Sequence, residues 1–295
     1  MNKLISVIIP VFNNIHFLND SLKSLKLQVY KNIEVIVVND GSHEIKKIKK
    51  IVNFFKKDLR LKLISYNKNK GVSFALNKGI KNSKGKYISW LSHDDYFHTE
   101  KLQKQISLIN NNTSKIIFTG FYQVDENKKI IRKKLYKNFL FEHKYHILFR
   151  DDLNLSTALF PKKILYKTGF FDLYKKHIQD YDMMFKMFKK FGVLIINEPL
   201  FYSRLHGRQT SRINNLDSYN EKREFFKSKI SIIERIFKKS SIQKKVFIIF
   251  FLRLKNIDEI TLKIQKLINS QNFFLILILK TVFLLSKLYL LVRKA

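Results

Sequence analysis

The sequence contains no cysteine. Disulfides, thiolate metal sites and a cysteine nucleophile are thereby excluded, and a reducing compartment fits that usage. Acidic residues are scarce as well, 23 against 57 Lys and Arg, leaving a formal charge of +34. Such an excess suits nucleic acid, an anionic membrane surface or phosphorylated substrates. Glycine and proline are also few, with 8 and 3 copies. Together with the abundance of Lys, Asn, Ile and Phe, this matches an AT-rich genome in which lysine fills ordinary solvent-facing positions. Zinc-finger spacing, an aromatic RNA-binding signature and a long basic low-complexity tail are missing, so nucleic acid is not an expected partner. A secretory signal is missing too: Leu4–Pro10 is a short apolar run with no small-residue cleavage site after it. The amino-terminal domain is therefore expected to be cytoplasmic. What is present is 45% apolar and 14% aromatic content over 295 residues, enough for one large globular domain with an appendage.

The first part of the chain alternates strand-like and helix-like segments. Leu4–Phe12 and Ile33–Val38 are continuous apolar runs that read as buried parallel strands. Ile15–Gln28 lies between them with Phe17, Leu18, Leu22 and Leu25 at helical spacing, and Asn14 is placed to cap it. Ser42 is placed to cap the Lys-rich helix after the second strand. Leu61–Tyr66, Tyr87–Leu91 and Lys115–Val124 read as further strands, with helices after Gly71 and from about Thr99 to Asn110. Repeated units of this kind predict a parallel sheet with helices on both faces. Ligands bind at the carboxyl ends of such strands, where the polar clusters Asn39–Ser42 and Ser92–Asp95 fall. Beyond them come a basic hairpin strand at Ile130–Leu135, a helix at Phe139–Arg150, a strand-like Ser156–Phe160, a helix at Asp180–Phe191 and an extended Val193–Ser203. After about Leu216 the pattern is helical throughout, which places a boundary near residue 215.

Asp94 and Asp95 are adjacent carboxylates at the end of a buried strand, and they repel unless a cation or hydrogen bonds compensate them. Mg²⁺ or Mn²⁺ held by carboxylates and substrate phosphates is one solution; capping of the next helix is another. Asp40 suits an Asx turn, or acceptance of the N3–H of uracil or thymine, on which Phe12 could stack. Arg204, His206 and Arg208 form a basic cluster fit for diphosphate oxygens, with His206 a further candidate metal ligand; a solvated basic loop is the plain alternative.

These pieces together resemble the inverting family-2 glycosyltransferases with the GT-A fold, and among them enzymes of bacterial surface-polysaccharide synthesis. The segments that carry the resemblance are Ser6–Asn13, Ile33–Ser42, Asn69–Ile80, Trp90–Asp95, Gln179–Asp182 and Tyr202–Ser211. The resemblance implies a doubly wound, mostly parallel sheet over residues 1–215. It implies nucleotide contacts at Pro10, Phe12, Asn13, Asp40, Lys70, Asn77, Asp94 and Arg204, a metal ion (Mn²⁺ or Mg²⁺) at Asp94, Asp95 and His206, and a catalytic base at Asp180. The family's Asp-x-Asp-Asp segment begins here with Ser92, so one carboxylate is missing. Gln179 likewise replaces the Glu that commonly precedes the base. The implied activity is metal-dependent, inverting transfer from a UDP-sugar or dTDP-sugar to a glycan or lipid-linked oligosaccharide, in capsule, O-antigen or lipooligosaccharide synthesis.

Two rival readings are a sugar-nucleotidyltransferase and a basic membrane- or nucleic-acid-binding protein. The first wants a Gly-rich phosphate loop after the first strand, and Pro10–Asn14 contains no Gly.

Residues 216–295 form a basic helical region. Phe273–Val292 is nearly all apolar and long enough to span a bilayer, yet Lys280, Lys287 and Lys294 line one helical face. That pattern predicts a tail lying on an anionic membrane surface, which would put the chain on the inner face of a bacterial cell membrane. Packing of the tail on the catalytic domain, or a homodimer seam, is the other expectation.

Overall fold

The computed structural model describes residues 3–109, 114–136, 143–149, 153–209, 215–241, 244–245 and 247–248. The chain divides into two compact units, Met1–Asn138 with Asp152–Ser218, and Phe139–Asp151 with Tyr219–Ala295. The first unit holds a sheet of nine strands among the described residues.

Four parallel strands form one half of the sheet in the order β3 (Leu61–Tyr66), β2 (Ile33–Asp40), β1 (Ile5–Val11) and β4 (Tyr87–Trp90). β1 and β2 are buried at every position, as continuous apolar runs require when both faces of a sheet are covered. The outermost strand, β3, instead exposes Lys62 and Ser65, as an edge demands. Helix α1 spans Leu18–Lys26 and α2 spans Ile45–Phe55. α2 packs on β2 and β3, and α3 (Val72–Lys81) packs on β1 and β2. Gly79 makes that last approach possible, because a Cβ there would lie 2.4 Å from the Ile8 side chain.

The other half is mixed. β8 (Leu159–Pro161) runs antiparallel to β4 and to β6 (Ile116–Val124), β9 (Val193–Arg204) is parallel to β6, and β5 (Tyr96–Phe97) closes the edge antiparallel to β9. β7 (Ile130–Lys134) hairpins onto the end of β6. β6 and β9 therefore run in the same direction as β1–β4, so six of the nine strands are mutually parallel, as a mostly parallel sheet requires, and β5, β7 and β8 run against them. β8 lies between β4 and β6 and is antiparallel to both. Its start is also later than the expected Ser156: Asn154 accepts from Ser156 N through its side chain (2.9 Å) and from Thr157 N through its carbonyl (3.0 Å), making a 3-10 turn of Leu155–Thr157.

α4 (Lys101–Ser107), α6 (Lys163–Thr168) and α7 (Gln179–Phe188) complete the first unit's named helices. α7 packs on α6 and on the 155–157 turn. In the second unit, α5 covers His143–Phe149, and a helix at Ile230–Lys239 buries Ile233 and Phe237 one turn apart. A helix at Asn215–Lys227 crosses the border between the units. No helix among the described residues is long and apolar enough to cross a membrane. The segment Phe273–Val292 lies outside the described residues.

Candidate active site

β1 connects onward to β2 on one side, whereas β4 lies on its other side. The ends of β1 and β4 thus flank the point where strand order reverses, the usual crevice for a ligand in such sheets. Phe12 follows β1 and is 42% exposed, although the strand before it is fully buried. Asn13 and Asn14 then turn the chain with φ of 49° and 44°, a left-handed conformation that Asn tolerates. Asn13 N donates to Ser42 Oγ at 2.9 Å, and Asn13 Oδ1 accepts from His43 N at 3.2 Å. Ser42 N in turn donates to Asn39 Oδ1 at 3.1 Å. The capping roles expected of Asn14 and Ser42 are not formed: neither helix start carries a side-chain cap, and Glu44 precedes α2. Asn13 and Ser42 instead lash the end of β1 to the end of β2. Pro10 sits inside β1 opposite Val38 and is buried.

Asp40, 2% exposed, accepts three hydrogen bonds from the next loop. They come from Lys70 N (2.7 Å), Gly71 N (2.8 Å) and Asn69 Nδ2 (3.1 Å). Gly41, at φ +74°, allows the loop to lie so close, since a Cβ there would meet Asn69 N at 2.6 Å. The Lys70 side chain lies over aromatic rings, 4.7 Å from Phe74 and 5.8 Å from Tyr66. Burial first, and the Asp40 charge after it, push the Tyr66 hydroxyl well above its ordinary range.

The two carboxylates after β4 part company. Asp95, 6% exposed, turns inward and accepts from Arg204 N at 2.8 Å. Asp94 points to His206, with Oδ2 3.0 Å from Nε2. Burial drives the Asp94 carboxyl upward, but the His206 hydrogen bond and the charge of His93 outweigh it, leaving it below the ordinary range. Burial and then the Asp94 charge hold Asp95 well above it, against the pull of Arg204. Mutual repulsion is relieved by giving the neighbours different partners and different proton affinities. His206 is buried, and its Nδ1 has no hydrogen-bond partner among the described residues.

Arg204 is fully buried, and each of its three guanidinium nitrogens donates a hydrogen bond. Nε donates to Asp94 O (2.9 Å), Nη1 to Glu126 O (2.7 Å) and Nη2 to Asp20 Oδ2 (2.7 Å). The group also stacks 4.1 Å over the Phe17 ring. Ser21 adds a hydroxyl within 2.9 Å of His93 O and 2.7 Å of Asp95 O. Arg208 is exposed. Asp20, Ser21 and Glu126 were not singled out in the sequence. Asp20 reads there as an ordinary acid in the first turn of a helix, and its partners Lys128 and Arg204 lie 108 and 184 residues away.

Asp180 is the second residue of α7 and accepts from Tyr181 N at 2.8 Å. The loop before it is fastened to the first half of the sheet. Asn77 in α3 donates to Phe171 O (2.8 Å) and accepts from Phe171 N (3.0 Å). Phe171 also meets Trp90, the last residue of β4, edge to face at 6.1 Å. The fold thus gathers Asp94, Asp95, Arg204 and His206 in one network and Asn13, Asp40 and Lys70 in another, while Asn77 is joined to the loop leading to Asp180. Among the described residues, no group of three or more His, Cys, Asp or Glu is arranged to hold a metal ion.

Residues 6–182 match the model of the family described as Glycosyl transferase family 2. A protein of Rickettsia prowazekii (strain Madrid E), named as an uncharacterized glycosyltransferase, is 35% identical over 247 residues, which cover 81% of this chain and 76% of that one. An Escherichia coli enzyme named as a UDP-Glc:alpha-D-GlcNAc-diphosphoundecaprenol beta-1,3-glucosyltransferase is 27% identical over 212 residues, 72% of this chain and 80% of that one. Among solved structures, TarS of S. aureus in complex with UDP-GlcNAc is similar in fold, with a TM-score of 0.62 at 18% identity over 84% of this chain and 79% of that chain. The α/β sheet is accordingly GT-A-like. The family match spans most of the sheet that carries these carboxylates, and the chain belongs to glycosyl transferase family 2: it is a glycosyltransferase.

Proposed function

We propose that the enzyme transfers a sugar from a UDP-sugar, with a dTDP-sugar as the other fitting donor, to a hydroxyl of a glycan acceptor with inversion. The observation that carries this reading is the Asp94–His206 pair, 3.0 Å apart, beside the crevice where strand order reverses. Phe12, exposed at the neighbouring strand end, offers a face for the base. Asp40 keeps acceptor capacity beyond the three bonds it makes, since a carboxylate has about four lone-pair sites. The Escherichia coli relative is named for UDP-Glc and for a diphosphoundecaprenol-linked acceptor, which supports the same donor nucleotide and a lipid-linked acceptor here.

Asp94 Oδ2 and His206 Nε2 are a fitting donor set for Mn²⁺ or Mg²⁺, an ionised oxygen and an imidazole nitrogen on one side of the crevice. Two protein donors are few for either ion, so the nucleotide diphosphate has to complete the shell. Such an ion stabilises negative charge on the leaving diphosphate. Asp95 and Arg204 then have a different duty from the ligand and diphosphate roles that the family resemblance implies. With Asp95 bound to the Arg204 main chain and the guanidinium bound to the Asp94 main chain, both are positioning residues for Asp94.

Asp180 is the proposed base. Its carboxylate takes the proton of the acceptor hydroxyl as that oxygen attacks the anomeric carbon. The bond from that carbon to the diphosphate oxygen breaks on the opposite face, and its electron pair leaves with the nucleotide. One displacement inverts the centre, and no carboxylic acid is needed for the leaving group. Gln179 in place of a second carboxylate leaves this chemistry intact.

Residues 216–295 fit a basic appendage that rests on an anionic membrane, which suits a lipid-linked acceptor in surface-polysaccharide synthesis. Calorimetry with UDP, dTDP and their sugars, each with and without Mn²⁺, tests the donor site. The expected result is Mn²⁺-dependent binding that Asp94→Asn abolishes. Equal affinity without Mn²⁺ would overturn the metal role, and no binding by any of these nucleotides would overturn the donor.

A further inference from the structure

The loop of residues 169–178 is bound to the body of the first unit more tightly than a surface connection needs. Asn77 satisfies both main-chain groups of Phe171, at 2.8 and 3.0 Å. Ser73 Oγ donates to Lys175 O at 3.3 Å. Between these anchors the turn is closed by Asp172, whose Oδ1 accepts from Tyr174 N at 2.9 Å and whose carbonyl accepts from Lys175 N at 3.3 Å. The tip nevertheless carries two large apolar side chains into solvent, Leu173 at 52% and Tyr174 at 90% exposed. Exposed apolar residues on their own are ordinary. Here the chain fixes the backbone that bears them, against its conformational entropy, and six residues after Tyr174 it enters α7 at the proposed base.

We propose that this loop is the acceptor-binding element, and that the Leu173–Tyr174 tip is the platform on which a sugar ring of the glycan acceptor stacks. The proposal rests on the reading of the first unit as a glycosyl-transfer site with Asp180 as base. A pyranose presents apolar C–H faces edged with hydroxyls, and a phenol ring with a polar tip complements both. The donor does not compete for this tip, because its base and diphosphate are assigned to the ends of β1, β2 and β4. Asn77 then acts through the loop as a positioning residue, instead of touching the nucleotide as the sequence resemblance implies. A loop held in place before binding loses less entropy when the glycan docks. Phe171 against Trp90 ties the platform to the strand that presents Asp94, so acceptor and donor sites are held by one strand end.

The test uses the full chain on a printed array of bacterial polysaccharides and oligosaccharides, with UDP and Mn²⁺ present, and measures UDP affinity separately by calorimetry. The wild type is expected to retain at least one glycan, and Tyr174→Ala to weaken that retention about tenfold or more, as loss of a stacking anchor does. Tyr174→Phe keeps the ring and should retain most of it. Asn77→Ala should weaken glycan retention with UDP affinity unchanged, a split that a nucleotide contact at Asn77 would reverse. Unchanged retention by Tyr174→Ala, a larger loss of UDP than of glycan by Asn77→Ala, or UDP binding with no glycan retained would each overturn the proposal. Absence of UDP binding in the wild type would instead defeat the underlying glycosyl-transfer reading.

Discussion

The rim at β1 and β2 and the rim at β4 are built by different means. At the first, the fastenings are local in sequence: Asn13 to Ser42 spans 29 residues and Asp40 to Lys70 spans 30. At the second, Ser21 reaches the 93–95 segment from 72 to 74 residues away, and Arg204 reaches Asp95, Asp94 and Asp20 across 109, 110 and 184 residues. Closing such long loops costs more entropy, and the Arg204 guanidinium offsets it with donors whose charge strengthens each bond, to Asp20 above all. The first rim is a self-contained edge, whereas the second takes its shape only when three remote parts of the chain have met.

The largest expected effect lies past both rims, at Asp180. Asp180→Asn should lower transfer about 10³-fold, within the range for a lost general base, while UDP still binds. Full transfer with the authentic acceptor would remove Asp180 from the mechanism. The contrast between the rims is next. Arg204→Met takes the donor from the Asp94 and Glu126 carbonyls, leaves Asp20 with Lys128 alone, and should cost about 3 kcal/mol in urea unfolding. Asp40→Asn removes one charge from a locally bonded loop and should cost nearer to about 1 kcal/mol. Equal losses would erase the distinction between local and remote fastening. Arg204→Lys should recover little, because an ammonium cannot span Asp94, Glu126 and Asp20 as a planar fork does.

At the second rim, His206→Ala should weaken Mn²⁺-dependent UDP binding by about tenfold to a hundredfold and leave metal-free binding unaltered. Chelation of the wild type should match the variant. If His206→Ala lowers affinity equally with and without Mn²⁺, the residue contacts the nucleotide directly and the pair with Asp94 serves another end.

The same contrast governs what could be read from the sequence. β1 and β2 were legible because burial on both faces leaves an uninterrupted apolar signature. Asp40, Asp94 and Asp95 were found at strand ends because topology alone puts polar clusters there. The use of each was not legible. A carboxylate pair says nothing of whether its partners are cations or main-chain amides, so the inward turn of Asp95 onto Arg204 N had no local signal. Arg204 read as a diphosphate ligand because Arg is the residue that binds diphosphate best; its burial against Phe17 and Asp20 depends on α1 packing there. β5 was missed since two residues carry no period. The antiparallel direction of β8 was not legible, since a strand's own residues do not set its orientation.

The smallest expected effect concerns the seam between the halves, where side chains of α4 bond to β4 and β6. Lys101 is fully buried there, with Nζ 2.9 Å from Gln105 Oε1, 3.4 Å from Ser89 Oγ and 4.1 Å from the Phe97 ring centre. Gln105 passes the link on to Ile117 O at 2.7 Å and Thr157 O at 2.9 Å. Burial lowers the Lys101 ammonium well below its ordinary value. The sign follows from proton counts: between the folded value and the ordinary lysine value, the unfolded chain holds a proton that the folded chain has lost. Stability must therefore rise with pH across that window, and the burden is greatest below it, where the folded chain has to keep a buried charge. Urea unfolding of the wild type and Lys101→Met at pH 7 and at pH 9.5 isolates this group from the other lysines. The wild type should gain stability relative to the variant on going to the higher pH. Parallel behaviour would mean that Lys101 keeps its proton equally in both states, and that its neutral partners Gln105 and Ser89 suffice to hold a charge inside the fold.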